Sequence, residues 1–213
     1  MLTELVQRTG LIAILRGVAA AEAAEIGAAV VAAGLRIVEV PLGAPDSLAA
    51  IRALRDALPA DCVVGAGTVV SAGQVDEVRR AGGALIVMPH CDPAVIRAAR
   101  AAQLAVMPGV ATPTEAFAAL AAGADALKMF PAELLGPAAV KAWRVVLPAD
   151  TLLVPVGGIT PDKLAGFVAA GAAGAGLGSA LYRPGAAPAE VGARAAAFVA
   201  AWRAAVAARA GEG

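Results

Sequence analysis

Eight short, β-rich apolar runs recur along this chain: "LIAIL" at 11–15, "RIVEV" at 36–40, "CVVGA" at 62–66, "ALIVM" at 84–88, "LAVMP" at 104–108, "ALKMF" at 126–130, "LLVPV" at 152–156 and "GAGLG" at 174–178. Each is followed by Gly, Pro, Asp or Thr and then by an Ala-rich amphipathic stretch such as "PDSLAAIRALRDAL" or "DPAVIRAARAAQ". Most runs start about 20 to 25 residues apart, the length of a strand, a helix and two short loops. A strand that is apolar on both faces needs cover on both faces, which a parallel sheet with intervening helices provides. Eight such units without a compositional break predict a closed (β/α)8 barrel, a TIM barrel, as one domain over residues 1–213, its last helix formed by "AEVGARAAAFVAAWRAAVAARA". The alternative is an open dinucleotide-binding sheet, suggested by "GAGLGS". That segment lacks the G-x-G-x-x-G spacing and lies near the C-terminus with no acidic residue on a following strand, so the barrel is preferred.

Hydrophobic residues make up 60% of the chain, which raises the question of a membrane. The uncharged run 164–182 is long enough to span one. It carries five glycines, however, and divides into the end of a helix, a short strand and a turn. Much of the remaining hydrophobicity is alanine, a strong former of soluble helices. Seventeen basic and seventeen acidic residues balance, which leaves no basic footprint for nucleic acid or an anionic membrane. Cys62 and Cys91 lie far apart without C-x-x-C spacing, and "GLIAIL" is too short for a secretory h-region. The expectation is a cytoplasmic protein whose partner is a small molecule.

In a barrel of this kind the chemistry gathers at the C-terminal ends of the strands. Arg16 closes the first run, Glu39 lies in the second, Thr68 follows the third, Pro89 and His90 follow the fourth, and Lys128 sits inside the sixth. A lysine in an apolar strand is costly unless it is paired or neutralised. Lys128 and Glu39 could therefore be a structural ion pair. They could equally be an amine of lowered pKa that attacks a carbonyl and the carboxylate that moves its protons. "VGGITP" after the seventh run and "GLGSALY" after the eighth bring bare backbone N–H groups, a Ser hydroxyl and a helix N-terminus together, a combination suited to a phosphate monoester. A phosphorylated carbonyl compound fits both ends of such a site. His90 is the only histidine, so an imidazole-rich metal site cannot be assembled, and no cofactor is expected.

The segments "IAILRG", "IVEVPLGAP", "VGAGTV", "IVMPH", "MPGVATPTEA", "ALKMFPAELLGP", "VGGITP" and "GLGSALY", in this order, closely resemble the 2-keto-3-deoxy-6-phospho-sugar-acid aldolases over nearly the whole chain. The resemblance implies that Lys128 is the Schiff-base residue and Glu39 the proton donor and acceptor. It implies that Arg16 and Thr68 meet the keto-acid end of the substrate, and that Gly157, Gly158, Gly178 and Ser179 hold its phosphate. Pro89, at the end of the fourth run, joins the substrate-binding set. Pyruvate and glyceraldehyde 3-phosphate would be the products, and the assembly a homotrimer. Members that prefer the gluconate-derived substrate usually carry an arginine shortly after the strand-two glutamate, where this chain has Gly43. "EVPLGAP" is nearer the pattern of the galactonate branch, with Gly43 departing from its usual asparagine. Three other readings remain open at this point: a phosphosugar isomerase or epimerase that forms no imine, a metal-dependent aldolase of the pyruvate type on a carboxylate-only site, and a non-catalytic sensor of a phosphorylated metabolite.

Overall fold

Every one of the eight apolar runs forms a strand, and every strand pair is parallel. In the computed structural model, which describes residues 2–211, these are β1 (Leu11–Ile14), β2 (Ile37–Pro41), β3 (Val63–Gly67), β4 (Leu85–Val87), β5 (Ala105–Met107), β6 (Gly109–Val110), β7 (Leu127–Met129), β8 (Leu153–Pro155) and β9 (Ala175–Leu177). The fifth run forms β5, and β6 follows directly beyond its end because Pro108 has no N–H to offer and interrupts the ladder. β5 pairs with β4, and β6 with β7. The strands fall into a six-stranded sheet, β5-β4-β3-β2-β1-β9, and a three-stranded sheet, β6-β7-β8. A parallel bridge between Val156 and Gly176 connects the ends of β8 and β9. The result is an α/β fold built on a curled parallel sheet.

Helices α2 (Ala20–Ala32), α3 (Ser47–Ala57), α4 (Ala72–Arg80), α5 (Pro93–Ala101), α6 (Pro113–Ala121), α7 (Ala132–Val146), α8 (Leu164–Ala169) and α9 (Pro188–Gly211) follow the strands. Several start on strong local signals. Ser71, Asp92 and Thr112 accept backbone N–H bonds at the first turns of α4, α5 and α6, and a proline opens α5 and α6. Gly136, with φ 67° and ψ 175°, breaks α7 after its first turn. Helix α9 is long and apolar enough to cross a membrane, but it lays Val191, Ala195, Phe198, Trp202 and Ala205 along one buried stripe and packs on α2 and α8.

Strand alternation sorts the apolar side chains into two cores. Val38, Val40, Leu127 and Met129 face the helices, in a cluster that includes Ile26, Ile51 and Phe198. Ile12, Ile14, Ile37, Leu85, Val87, Met107, Val154 and Val156 face the inside of the curl. An additional helix, α1 (Leu2–Thr9), precedes β1 and inserts Leu2, Leu5 and Val6 into this inner cluster. Fully buried inner residues such as Leu85 are each worth about 1.5–3 kcal/mol of apolar burial. That inner core is the floor on which the polar groups at the C-terminal strand ends rest.

Candidate active site

Alternation along β7 turns Leu127 and Met129 towards the helices and leaves Lys128 pointing inward, 6% exposed. The same rule on β2 puts Glu39 on the side of Ile37, 2% exposed, with Val38 and Val40 opposite. The two charges are not used up on each other: Glu39 Oε2 has no hydrogen-bond partner, and among the described residues no ion pair joins Glu39 to Lys128. Burial is the dominant influence on both groups. It pushes the Glu39 carboxyl up to about 7, against the opposing pull of Lys128 and Arg16. It also holds the Lys128 ammonium below its ordinary range, with Glu39 opposing and Arg16 adding to the effect. Burial thus shifts both groups towards their neutral forms. The Lys128 Nζ stands 4.8 Å from the centroid of the Phe130 ring, a cation–π contact that keeps the amine in place.

Glu39 owes its position to a residue the sequence reading does not single out. A Cβ added at Gly67 would lie 2.5 Å from Glu39 Cδ and 2.6 Å from Oε1, so only a glycine at the end of β3 leaves room for the carboxyl. The signal was present as the second glycine of "GAGT". The next residue, Thr68, has φ 58°, a left-handed backbone that a β-branched side chain rarely adopts. The Leu42 N–H donates to Gly67 O at 2.8 Å and ties the loop after β2 to this turn. In that loop Gly43 has φ 123° and open space where a side chain would project. Arg16 is exposed at the end of β1 yet near enough to act electrostatically on both Glu39 and Lys128. Pro89 is half-buried at the end of β4, its carbonyl packed so closely on Gly109 that a Cβ there would lie 2.5 Å away. His90 is exposed beside it.

The glycine pairs meet at the other side of the rim, because the Val156–Gly176 bridge sets Gly157 and Gly158 beside Gly178 and Ser179. Gly157 and Gly158 have φ of 113° and 62°. Among the described residues the N–H groups of Gly157, Gly158, Ser179 and Ala180 donate to no backbone carbonyl, and Ser179 is exposed. One expectation is corrected here. No helix begins at Ser179: the N–H groups of Leu181 and Tyr182 both donate back to Gly178 O, and the chain leaves this single turn at Arg183. Pro184 disfavours helical backbone at the residue before it, and α9 starts only at Pro188. After β8 the chain likewise enters a 3₁₀ turn, Pro161–Lys163, before α8. The loop is braced from outside. The Ala132 N–H donates to Val156 O and the Lys163 ammonium to Gly158 O, each at 2.8 Å, and the Glu133 carboxyl lies against Gly157. Among the described residues, no three His, Cys, Asp or Glu side chains gather in a way that would hold a metal ion.

A buried amine and a buried carboxyl, both shifted towards their neutral forms and set inside an α/β fold beside a rim of unused N–H groups, define a site suited to a small acidic compound. That reading is made specific by comparison: the sequence profile of the KDPG and KHG aldolases matches residues 2–191, and the chain belongs to that family. It is 49% identical to 2-dehydro-3-deoxy-6-phosphogalactonate aldolase of Escherichia coli (strain K12), over 92% of this chain and 96% of that one. It is 45% identical to a probable 2-dehydro-3-deoxy-6-phosphogalactonate aldolase of Rhizobium meliloti (strain 1021), over 90% and 91%. A solved structure of native KDPGal superposes with a TM-score of 0.90, at 49% identity over 92% of this chain and 96% of that one.

Proposed function

We propose that this chain is a class I aldolase that cleaves 2-dehydro-3-deoxy-6-phosphogalactonate to pyruvate and D-glyceraldehyde 3-phosphate. The observation that carries the reading is the pair of opposed protonation shifts, Lys128 down and Glu39 up, inside one shared interior. Neutral Lys128 attacks the C2 ketone, and Glu39, directly or through one water, protonates the oxygen that leaves as water. The resulting protonated imine is the electron sink. The C4 hydroxyl gives its proton to the Glu39 carboxylate, directly or through the same water, the C3–C4 bonding pair moves to C3 as an enamine, and C4 departs as the aldehyde. Glu39 returns a proton to C3, and water hydrolyses the imine to pyruvate and free lysine. Arg16 and Thr68 would take the carboxylate and keto end, with Pro89 lining it. Gly157, Gly158, Gly178 and Ser179 would take the phosphate, with the unused N–H groups of Gly157, Gly158 and Ser179 as donors. Incubation with pyruvate and borohydride should place one reduced pyruvyl group on Lys128. A label on another residue, or none on active enzyme, overturns the assignment.

The galactonate epimer is supported by the 45% and 49% identity to relatives of that name, against 38% over 67% of this chain for a 2-dehydro-3-deoxy-phosphogluconate aldolase of Zymomonas mobilis subsp. mobilis. Gly43 presents no side chain that could single out one C4 hydroxyl, so the gluconate epimer should also turn over. Comparison of kcat/KM for the two purified epimers is the test, and a clear gluconate preference reverses the order. The curled sheet is read as a closed (β/α)8 barrel. The Val156–Gly176 bridge and the pairing of 105–110 with β4 on one half and β7 on the other support that closure. A homotrimer in the cytoplasm completes the proposal. Two free cysteines fit a reducing compartment. A designed cage built "by fusing symmetric oligomeric domains", 46% identical over 96% of this chain and 76% of that one, supports an oligomer.

A further inference from the structure

A cavity of about 570 Å³ opens at the end of the sheet opposite Lys128, between α1, α8 and α9. Its wall is apolar: Val168, Ala172, Trp202 and Val206. The Trp202 indole is fixed in the wall by packing against Gly10, where any Cβ would overlap the ring. Three charged side chains line the cavity, Arg8, Arg203 and Arg209, and all are cationic. In a chain with seventeen acidic and seventeen basic residues, that one-sided lining stands out, and among the described residues no carboxylate lines the space. Arg209 is fixed along the wall by donating to Val168 O at 3.1 Å, which leaves its other N–H groups for a ligand. Among the described residues Arg8 makes a long ion pair, 3.9 Å, with Asp61, a carboxylate held more closely by Arg36 at 3.2 Å.

We propose that this cavity binds a small organic anion, with an aromatic or apolar body against Trp202 and a carboxylate or phosphate between the guanidinium groups. Its volume is in the range of small-molecule sites, guanidinium forks match planar carboxylate and tetrahedral phosphate, and an indole accepts a flat apolar body. Neither Arg8 nor Arg203 belongs to the catalytic set, so the site is separable from turnover.

The test is titration of the full-length protein with 1-naphthyl phosphate, 1-naphthoate and uncharged 2-methoxynaphthalene, followed by the indole N–H signal of Trp202, assigned with Trp143→Phe. The anions should bind saturably and move that signal, and the neutral compound should not. The phosphate and carboxylate arms distinguish which anion is preferred. Arg8→Gln combined with Arg203→Gln should weaken the anions by about tenfold or more, the loss expected for two charge-assisted contacts, with aldolase activity unchanged. No saturable binding at millimolar probe, equal binding of the neutral compound, an unaltered affinity in the double variant, or loss of binding in Ser179→Asp would each overturn the proposal.

Discussion

The carboxyl of Glu39 rests on the bare Cα of Gly67, with 2.5 Å between Glu39 Cδ and the point where a Cβ would stand. A buried acid is thus aimed by the absence of a side chain on the neighbouring strand. Gly67→Ala should leave the backbone of β3 intact but displace the carboxyl, lowering kcat by about 10²-fold, the usual worth of a positioned acid–base group. The exchange of pyruvate methyl protons with solvent should fall in parallel. Parental kcat in a folded variant would show that Glu39 needs no such seat.

Glu39 also predicts a pH dependence of stability. Its carboxyl sits at about 7 in the folded protein against an ordinary value near 4.5, so folding favours the protonated form. The stability gained from burying a neutral acid is complete below the unfolded value and is lost as pH rises through about 7. At full extent the loss is about 3 kcal/mol. Urea unfolding of the parent should therefore show stability falling between about pH 4.5 and 7 and levelling above, and Glu39→Gln should flatten most of that slope. An identical slope in the variant would place the titration on another group.

Lys128→Arg should abolish turnover, by at least about 10³-fold, because a guanidinium stays protonated and cannot form an imine. Circular dichroism should be unchanged. Turnover within tenfold of the parent would remove Lys128 from the nucleophile's role.

Ser179→Asp places a carboxylate at the rim where the unused N–H groups gather. It should raise KM for the phosphorylated substrate by about tenfold or more through like-charge repulsion, and leave an unphosphorylated analogue nearly untouched. Equal impairment of both substrates would locate the phosphate elsewhere.

The strands were legible because each is a short apolar run buried on both faces, and Lys128 and Glu39 were legible because they interrupt such runs. What escaped reading had weaker signals. Helix α1 offers only Leu2, Leu5 and Val6 as buried contacts, too few to announce a packed element. The break between β5 and β6 depends on one missing N–H, at Pro108. The loop after β9 reads locally as a helix start, and its fate is decided downstream by Pro184 and Pro188. Gly67 escaped because its contribution is empty space, which a sequence shows only as one glycine among twenty-four.

Helix α1 closes the inside of the curl with Leu2, Leu5 and Val6, and the packed inner core above it leaves the Lys128 end as the single side from which substrate can reach the amine. Traffic through a single entrance is sequential. In the proposed reaction the fragment on Lys128 would lie deepest and the phosphorylated fragment nearest the glycine rim, so after cleavage the aldehyde would have to leave before pyruvate could follow. In the synthetic direction the order inverts: pyruvate has to be loaded and converted to its enamine before the aldehyde arrives. An excess of aldehyde phosphate should then obstruct the enzyme by occupying the doorway, a form of substrate inhibition that follows from a helix far from the reacting carbons.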